Sequence, residues 1–213
     1  MVMETLLTPP PKPVQALDVD DIAPVSFRVR QIMTSEEFYT FCQDNPTYKF
    51  ERDPDGRIFV MPNTGGKTGI RNSKLNLRVG IWNEQTNAGE VFDSSTAFDL
   101  PDGSTRSPDV AWVSRERWDA LTEQQQEKFP PVCPDFVIEL LRADVRSPSD
   151  SLSVTKKKMT DVWIKNGCRL AWLIDPKSQT THIFRANGEI QIIEGFDKSL
   201  SGETVLPGFT LTL

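Results

Sequence analysis

Short apolar runs with the strand period of two alternate along this chain with stretches whose apolar positions fall three and four residues apart, the helical period. Thr34 and Glu37 make a capping-box pattern that predicts a short helix carrying Phe38, Phe41 and Cys42. Residues 48–52 and 57–61 flank Pro54, Asp55 and Gly56 and predict a hairpin, followed by a turn-rich break over 62–66. A helix is predicted from about Thr68 to Thr86. Residues 91–92 and 97–100 read as strands, closed by the turn at 101–104. Next come a strand opened by Asp109, an amphipathic helix from near Ser114 with Trp118 and Leu121, and, after Pro130, Pro131 and Pro134, a strand containing Glu139. A helix from about Ser151 stops at Asn166 and Gly167, a fitting C-terminal signal. Residues 169–175 read as a buried strand. Residues 180–185 and 189–194 flank Asn187 and Gly188, a hairpin of type I′ character. The chain ends with a short apolar piece over 209–213.

Interleaved strands and helices, with hairpins at both ends of a helix-flanked centre, predict an α/β or α+β fold built on a mixed sheet. At 213 residues a single domain over 25–213 is expected. Pro9, Pro10, Pro11, Pro13 and Pro24, with acids at Asp18, Asp20 and Asp21, mark 1–24 as a poorly ordered arm. Apolar runs long enough to span a membrane and a secretory signal are both missing from the sequence. Cys42, Cys133 and Cys168 lie far apart with no C-x-x-C spacing, which argues against a disulfide framework or a thiolate zinc site and fits a cytoplasmic setting. One histidine, His182, excludes a multi-histidine metal site, and a Ser-His-Asp hydrolase would have to use it. No G-x-S-x-G elbow accompanies it. The net charge of −6 counts against a generic nucleic-acid coat but leaves room for a local basic cleft.

Such a cleft has a candidate wall. Lys67, Arg71, Lys74 and Arg78 recur at four, three and four residues, so they share one face of the predicted helix. Ile70, Leu77 and Ile81 flank that stripe on one side, and Leu75, Val79 and Trp82 on the other. Two readings stand: a solvated basic face, or a face that tracks a phosphate backbone.

The chemistry concentrates between Arg106 and Met159. Asp109 opens one apolar strand and Glu139 sits inside the next. A carboxylate in an apolar strand is costly unless it is paired or holds a cation. Two such acids on neighbouring strands, followed by a helix bearing Lys156, Lys157 and Lys158, supply what metal-assisted phosphodiester hydrolysis needs. Helical spacing puts Lys156 in line with Leu152, Met159 and Trp163, and brackets Lys158 by Val154 and Val162. Lys157, four residues before Asp161, points to solvent. Periodicity alone does not choose between Lys156 and Lys158.

The strings ERDPDGRIFVMPNTGGKTGIRN, VFDSSTAFDLPDGSTRSPDVAWVSRERWDALT, PPVCPDFVIEL, RSPSDSL, KM, NG and LAWLIDP occur in that order. Together they resemble the Uma-type restriction endonuclease family, long catalogued as a bacterial domain of unknown function, over nearly all of 30–211. The resemblance implies a restriction-endonuclease-like core of the PD-(D/E)XK type and a DNA endonuclease that uses magnesium or manganese. It implies Asp109 and Glu139 as metal-holding catalytic acids, Lys158 as the helix lysine and Glu51 as an upstream catalytic acid. Cutting both strands at a palindrome would favour a homodimer. Two departures stand out. Residues 141–145 are inserted after the acidic strand, so Leu141 occupies the place two past Glu139 where the wider superfamily carries lysine. Val162 stands where the family often has tyrosine, four residues after the helix lysine. The insertion points to an alternative, a catalytically inactive DNA-binding or protein-binding module on the same fold.

Overall fold

The computed structural model describes residues 25–29, 31–142 and 151–213; the arm expected over 1–24 lies outside them. A mixed sheet forms the centre. Its members are β4 (Gly89–Asp93), β7 (Val110–Ser114), β8 (Phe136–Leu140), β9 (Leu170–Asp175), β10 (Thr180–Arg185) and β11 (Ile190–Glu194). They lie in the order β11-β10-β9-β8-β7-β4. All neighbours pair antiparallel except β8 and β9, which run parallel. Parallel strands need a crossover, and here it contains helix α5 (Leu152–Lys158) and the π-helical turn Met159–Ile164.

Alternation along the strands sorts their side chains to two faces. Val110, Trp112, Phe136, Ile138, Leu170, Trp172 and Ile183 pack on one face against Leu75, Val79 and Trp82 of α2 (Gly66–Thr86) and the C-terminal Leu206 and Phe209. Ala111, Val113, Val137, Ala171, Leu173 and Phe184 face Met159 and Trp163 of the crossover. Glu139 alternates with Ile138 and Leu140, so it belongs to the crossover side.

An antiparallel sheet adjoins this core in sequence. It contains β1 (Ser26–Arg28), β2 (Lys49–Arg52), β3 (Arg57–Met61), β5 (Phe98–Asp99) and β6 (Thr105–Arg106), in the order β1-β3-β2-β6-β5. Helix α1 (Ser35–Asp44) packs Phe38 and Phe41 with Phe50 and Ile58, and Thr34 and Glu37 close the predicted capping box. Short helices α3 (Arg115–Asp119) and α4 (Glu123–Glu127) stand in place of the single amphipathic helix that the sequence predicts. Thr122 breaks them apart by capping α4. β12 (Leu200–Ser201) and β13 (Thr210–Leu211) pair in the tail.

The second hairpin departs from the expected type I′ turn. The Gly188 N–H donates to the Arg185 carbonyl at 2.9 Å and the Arg185 N–H to the Glu189 carbonyl at 3.0 Å, with Gly188 at φ +87°. Asn187 keeps an ordinary negative φ, so this is a three-residue loop with glycine at the left-handed position.

Candidate active site

The β7–β8 ladder pairs Val110 with Ile138, Ala111 with Val137 and Trp112 with Phe136. Asp109 stands one residue before this ladder and turns its carboxylate to Asn72 of α2, while Glu139 faces Trp163 of the crossover; the Asp109 charge is near enough to raise the Glu139 pKa. Glu139 is paired in turn with Leu173, and Leu173 with His182. Glu139 thus begins a row across three strands, with Leu173 and His182.

Lys158 supplies the opposing charge. Its Nζ lies 3.2 Å from Glu139 Oε1 and 3.8 Å from Glu51 Oε2. Glu51 comes from β2, in the other sheet, and both its oxygens are engaged: Oε1 accepts the Ser107 N–H at 3.2 Å, and Arg106 Nη1 lies 3.3 Å from Oε2. Arg106 also pairs with Asp53. The RSPD segment thus runs from the clamp on Glu51 directly to Asp109.

Burial opposes charge on all three groups, and their neighbours decide the outcome. For Glu51, burial pushes the pKa up, but Lys158, Arg106, Lys49 and the Ser107 N–H outweigh it and hold the carboxyl below its ordinary value. For Glu139, burial dominates; Lys158 and the Trp163 N–H oppose it, while Asp109 and Glu51 add to it, and the pKa is raised. Burial disfavours the Lys158 ammonium, yet Glu139 and Glu51 overcome that and raise its pKa.

These opposite shifts give a pH prediction. A depressed Glu51 stabilises the fold above the unfolded carboxylate value, and that contribution is lost as pH falls through the folded value. A raised Glu139 does the reverse: its ionisation costs stability as pH rises from the unfolded value through the folded one. Without metal, Glu51→Gln should lose about 1–3 kcal/mol at neutral pH, a deficit that shrinks on acidification. Glu139→Gln should be at least as stable as the wild type at neutral pH. Urea denaturation from about pH 7 to about pH 3 reads both, and matching pH slopes in the two variants would count against this electrostatic account.

Asp109 is oriented by two donors. Leu140 N–H reaches Oδ2 at 2.7 Å, and Asn72 Nδ2 reaches Oδ1 at 2.6 Å. Asn72 is a site residue that sequence reading misses. It projects from α2 beside the basic stripe, and its own Oδ1 is buried without a hydrogen-bond partner among the described residues. A cleft of about 480 Å³ opens there, lined by Asn72, Asn76, Asp93, Ser94 and Asp109 among others.

Among the described residues no three Asp, Glu, His or Cys side chains converge as a metal-holding group. Asp109 and Glu139 are the two acids of the site whose charges act on each other without a guanidinium between them. No hydrogen bond from the described residues reaches Glu139 Oε2, since Trp163 and Lys158 both approach Oε1. Two carboxylates with the remaining positions left to water and phosphate is a habit of Mg²⁺.

The other sequence candidates sort cleanly. Lys157 is exposed, while its expected partner Asp161 pairs with Lys165. Lys156 acts on His182 by its charge: burial first, then the Lys156 charge, lowers the imidazole pKa. Both ring nitrogens of His182 are buried without partners among the described residues, so no serine–histidine dyad forms there. Lys67, Lys74 and Arg78 are exposed and Arg71 half-buried. Of the flanking apolar rows only Leu75, Val79 and Trp82 are buried; Ile70, Leu77 and Ile81 face solvent, 46–59% exposed. The supposed insertion is also partly core. Leu141 is buried and donates its N–H to the Ile174 carbonyl at 2.8 Å, extending β8, while Arg142 reaches the Pro62 carbonyl. Residues 143–145 lie outside the described residues.

Comparisons with known proteins bear on family and fold. The family model described as "Uma2: Putative restriction endonuclease" matches residues 35–213. The chain belongs to the Uma2 family. No curated protein matches it. A crystal structure described as a "putative nuclease belonging to DUF820 from Anabaena variabilis ATCC 29413" superposes with a TM-score of 0.66 at 21% identity, covering 84% of this chain and 94% of that one. At that identity the likeness shows a shared fold. Asp109, Glu139, Lys158 and Glu51 all lie within the segment matched to Uma2. No helix among the described residues is long and apolar enough to cross a membrane.

Proposed function

We propose that this Uma2 protein is a divalent-metal-dependent DNA endonuclease of the PD-(D/E)XK type. The observation that carries the reading is Lys158, held between Glu139 and Glu51, with the Asp109 charge near enough to act on Glu139. A structural ion pair needs one carboxylate; here the lysine has two, with a third acid close by.

Asp109 and Glu139 would hold Mg²⁺ or Mn²⁺. A bound ion of this kind polarises a phosphoryl oxygen and lowers the pKa of water. The chain's own groups do the rest. Asn72 and the Leu140 N–H fix the Asp109 carboxylate. Lys158 presents a permanent cation to a phosphate entering the cleft, where negative charge builds on phosphorus and on the leaving oxygen. Glu51, restrained by Arg106 and Ser107, holds the Lys158 ammonium in place. Incubating the protein with supercoiled plasmid, with Mg²⁺, with Mn²⁺ and with EDTA, tests the proposal. Metal-dependent nicking or linearisation is expected. Inert protein in every arm would favour a nuclease-fold binding module, and linear product without nicked intermediates would mark a two-fold dimer.

Helix α2 extends the DNA surface. Asn72 anchors it to Asp109, and Lys67 and Arg71 stand within roughly 8 Å of that anchor along the helix axis. Replacing Lys74 and Arg78 by alanine is expected to weaken DNA binding and to reduce the slope of log K against log salt by about 2, near 0.9 for each phosphate left without its cation. Unchanged affinity across a salt series would return the stripe to plain solvation.

A further inference from the structure

We propose that Trp163 is a positioning residue for Glu139: its indole N–H, delivered by the π-helical turn, fixes carboxylate oxygen Oε1 and leaves Oε2 to the cation. This rests on the metal-dependent reading above.

Trp163 Nε1 donates to Glu139 Oε1 at 3.0 Å, and Lys158 Nζ lies 3.2 Å from the same oxygen. On an α-helix, residues five apart point about 140° away from each other, so Lys158 and Trp163 would diverge. Helix α5 ends at Lys158, and the next residues, Met159–Ile164, widen into a π turn. The Lys165 N–H bonds to the Thr160 carbonyl at 3.1 Å and the Cys168 N–H to the Trp163 carbonyl at 3.0 Å, both five residues back. Such a turn brings the fifth residue round to the side of the first. Both donors then meet one oxygen. π turns are rare and concentrate at functional sites.

The two donors differ in kind. Lys158 is a flexible chain shared between Glu139 and Glu51, so it can turn from Oε1 to a phosphate without leaving the site. Trp163 is fully buried among Met159, Cys168 and Leu173, so its ring has nowhere to turn. Once Lys158 moves, only the indole still defines the direction of Oε2. A bland explanation is that any buried indole needs an acceptor. Trp172 answers it: fully buried in the same sheet, its Nε1 has no hydrogen-bond partner among the described residues. This fold tolerates an unsatisfied indole, so the Trp163 contact is not forced by burial.

Trp163→Phe keeps a buried aromatic ring and deletes the N–H. We expect Mn²⁺ affinity, measured without DNA from the electron paramagnetic resonance of the free ion, to fall about 10–100-fold, the usual effect of losing an outer partner of a metal ligand. Turnover should fall with it while KM for DNA stays within about twofold. In the wild type, the indole ¹H–¹⁵N resonance absent from Trp163→Phe should move on adding Mg²⁺. Mn²⁺ affinity and turnover equal to wild type would overturn the proposal and leave the nuclease reading standing. If Trp163→Phe does not fold, the wild-type resonance, assigned instead by ruling out the other four indoles, decides alone, and no movement at saturating Mg²⁺ overturns the proposal. A wild type that binds no Mn²⁺ at all removes the nuclease reading and this inference with it.

Discussion

Alanine at Glu139 is expected to abolish metal-dependent cleavage and to leave the metal-free protein as stable as the wild type or more so. The carboxylate is surrounded by reasons to be uncharged: burial first, with Asp109 and Glu51 adding to it. Without an ion its charge at neutral pH works against the fold, and removing it relieves that cost. Lys158 does not become an orphan, because Glu51 remains 3.8 Å away. Asp109→Ala should be equally inactive but less stable. It strips the acceptor from the Leu140 N–H and from Asn72 Nδ2, and a buried donor left unpaired costs about 1–3 kcal/mol. Plasmid cleavage and urea melts with and without Mg²⁺ measure both effects. A loss of at least about 100-fold in rate is expected for either variant. Glu139→Ala that cleaves at the wild-type rate would remove Glu139 from the mechanism.

How much of this site is readable in advance depends on whether one residue's neighbours in sequence reveal its role. Asp109 and Glu139 are legible because an acid in an apolar strand breaks a pattern. Lys158 is legible only through family resemblance, since α-helical spacing gives equal weight to Lys156. That ambiguity has a physical source: the crossover is not an α-helix throughout, and past the π turn Trp163 meets the same Glu139 oxygen as Lys158. Asn72 is invisible because an amide on a helix face leaves no mark in hydrophobic periodicity. Arg106 appears only as part of a string, although it clamps Glu51 and Asp53 together. Leu141 reads as insertion because it follows an acid expected to end the strand; the pairing with Ile174 that keeps it in the sheet is long-range. The mixed sheet itself follows from the order of apolar runs, whereas the parallel pairing of β8 and β9 depends on contacts no local pattern specifies.

Lys158→Ala is expected to abolish cleavage without weakening metal binding. Lysine acts on phosphate charge or water and not on the ion, so its loss removes transition-state stabilisation selectively. The electrostatics go further. Lys158 is a competing cation 3.2 Å from Glu139 Oε1. Removing it makes the pocket more negative, and Mn²⁺ affinity should stay level or tighten even as turnover falls by about 100-fold or more. That opposition between affinity and rate distinguishes a catalytic lysine from one that merely holds the site together, whose loss would lower both. Lys156→Ala and Lys157→Ala are the controls. Lys157 is exposed, and the Lys156 charge acts on His182 while Glu139 pairs with Lys158, so both variants should cleave within a few-fold of wild type. An inactive Lys156→Ala beside an active Lys158→Ala would transfer the role to Lys156 and place the chemistry earlier on α5. Deleting 141–145 to restore a shorter connection is a poor test of activity, because Leu141 belongs to the core. Deleting only 143–145 spares it, and higher cleavage in that variant would mark these three residues as a brake on the enzyme.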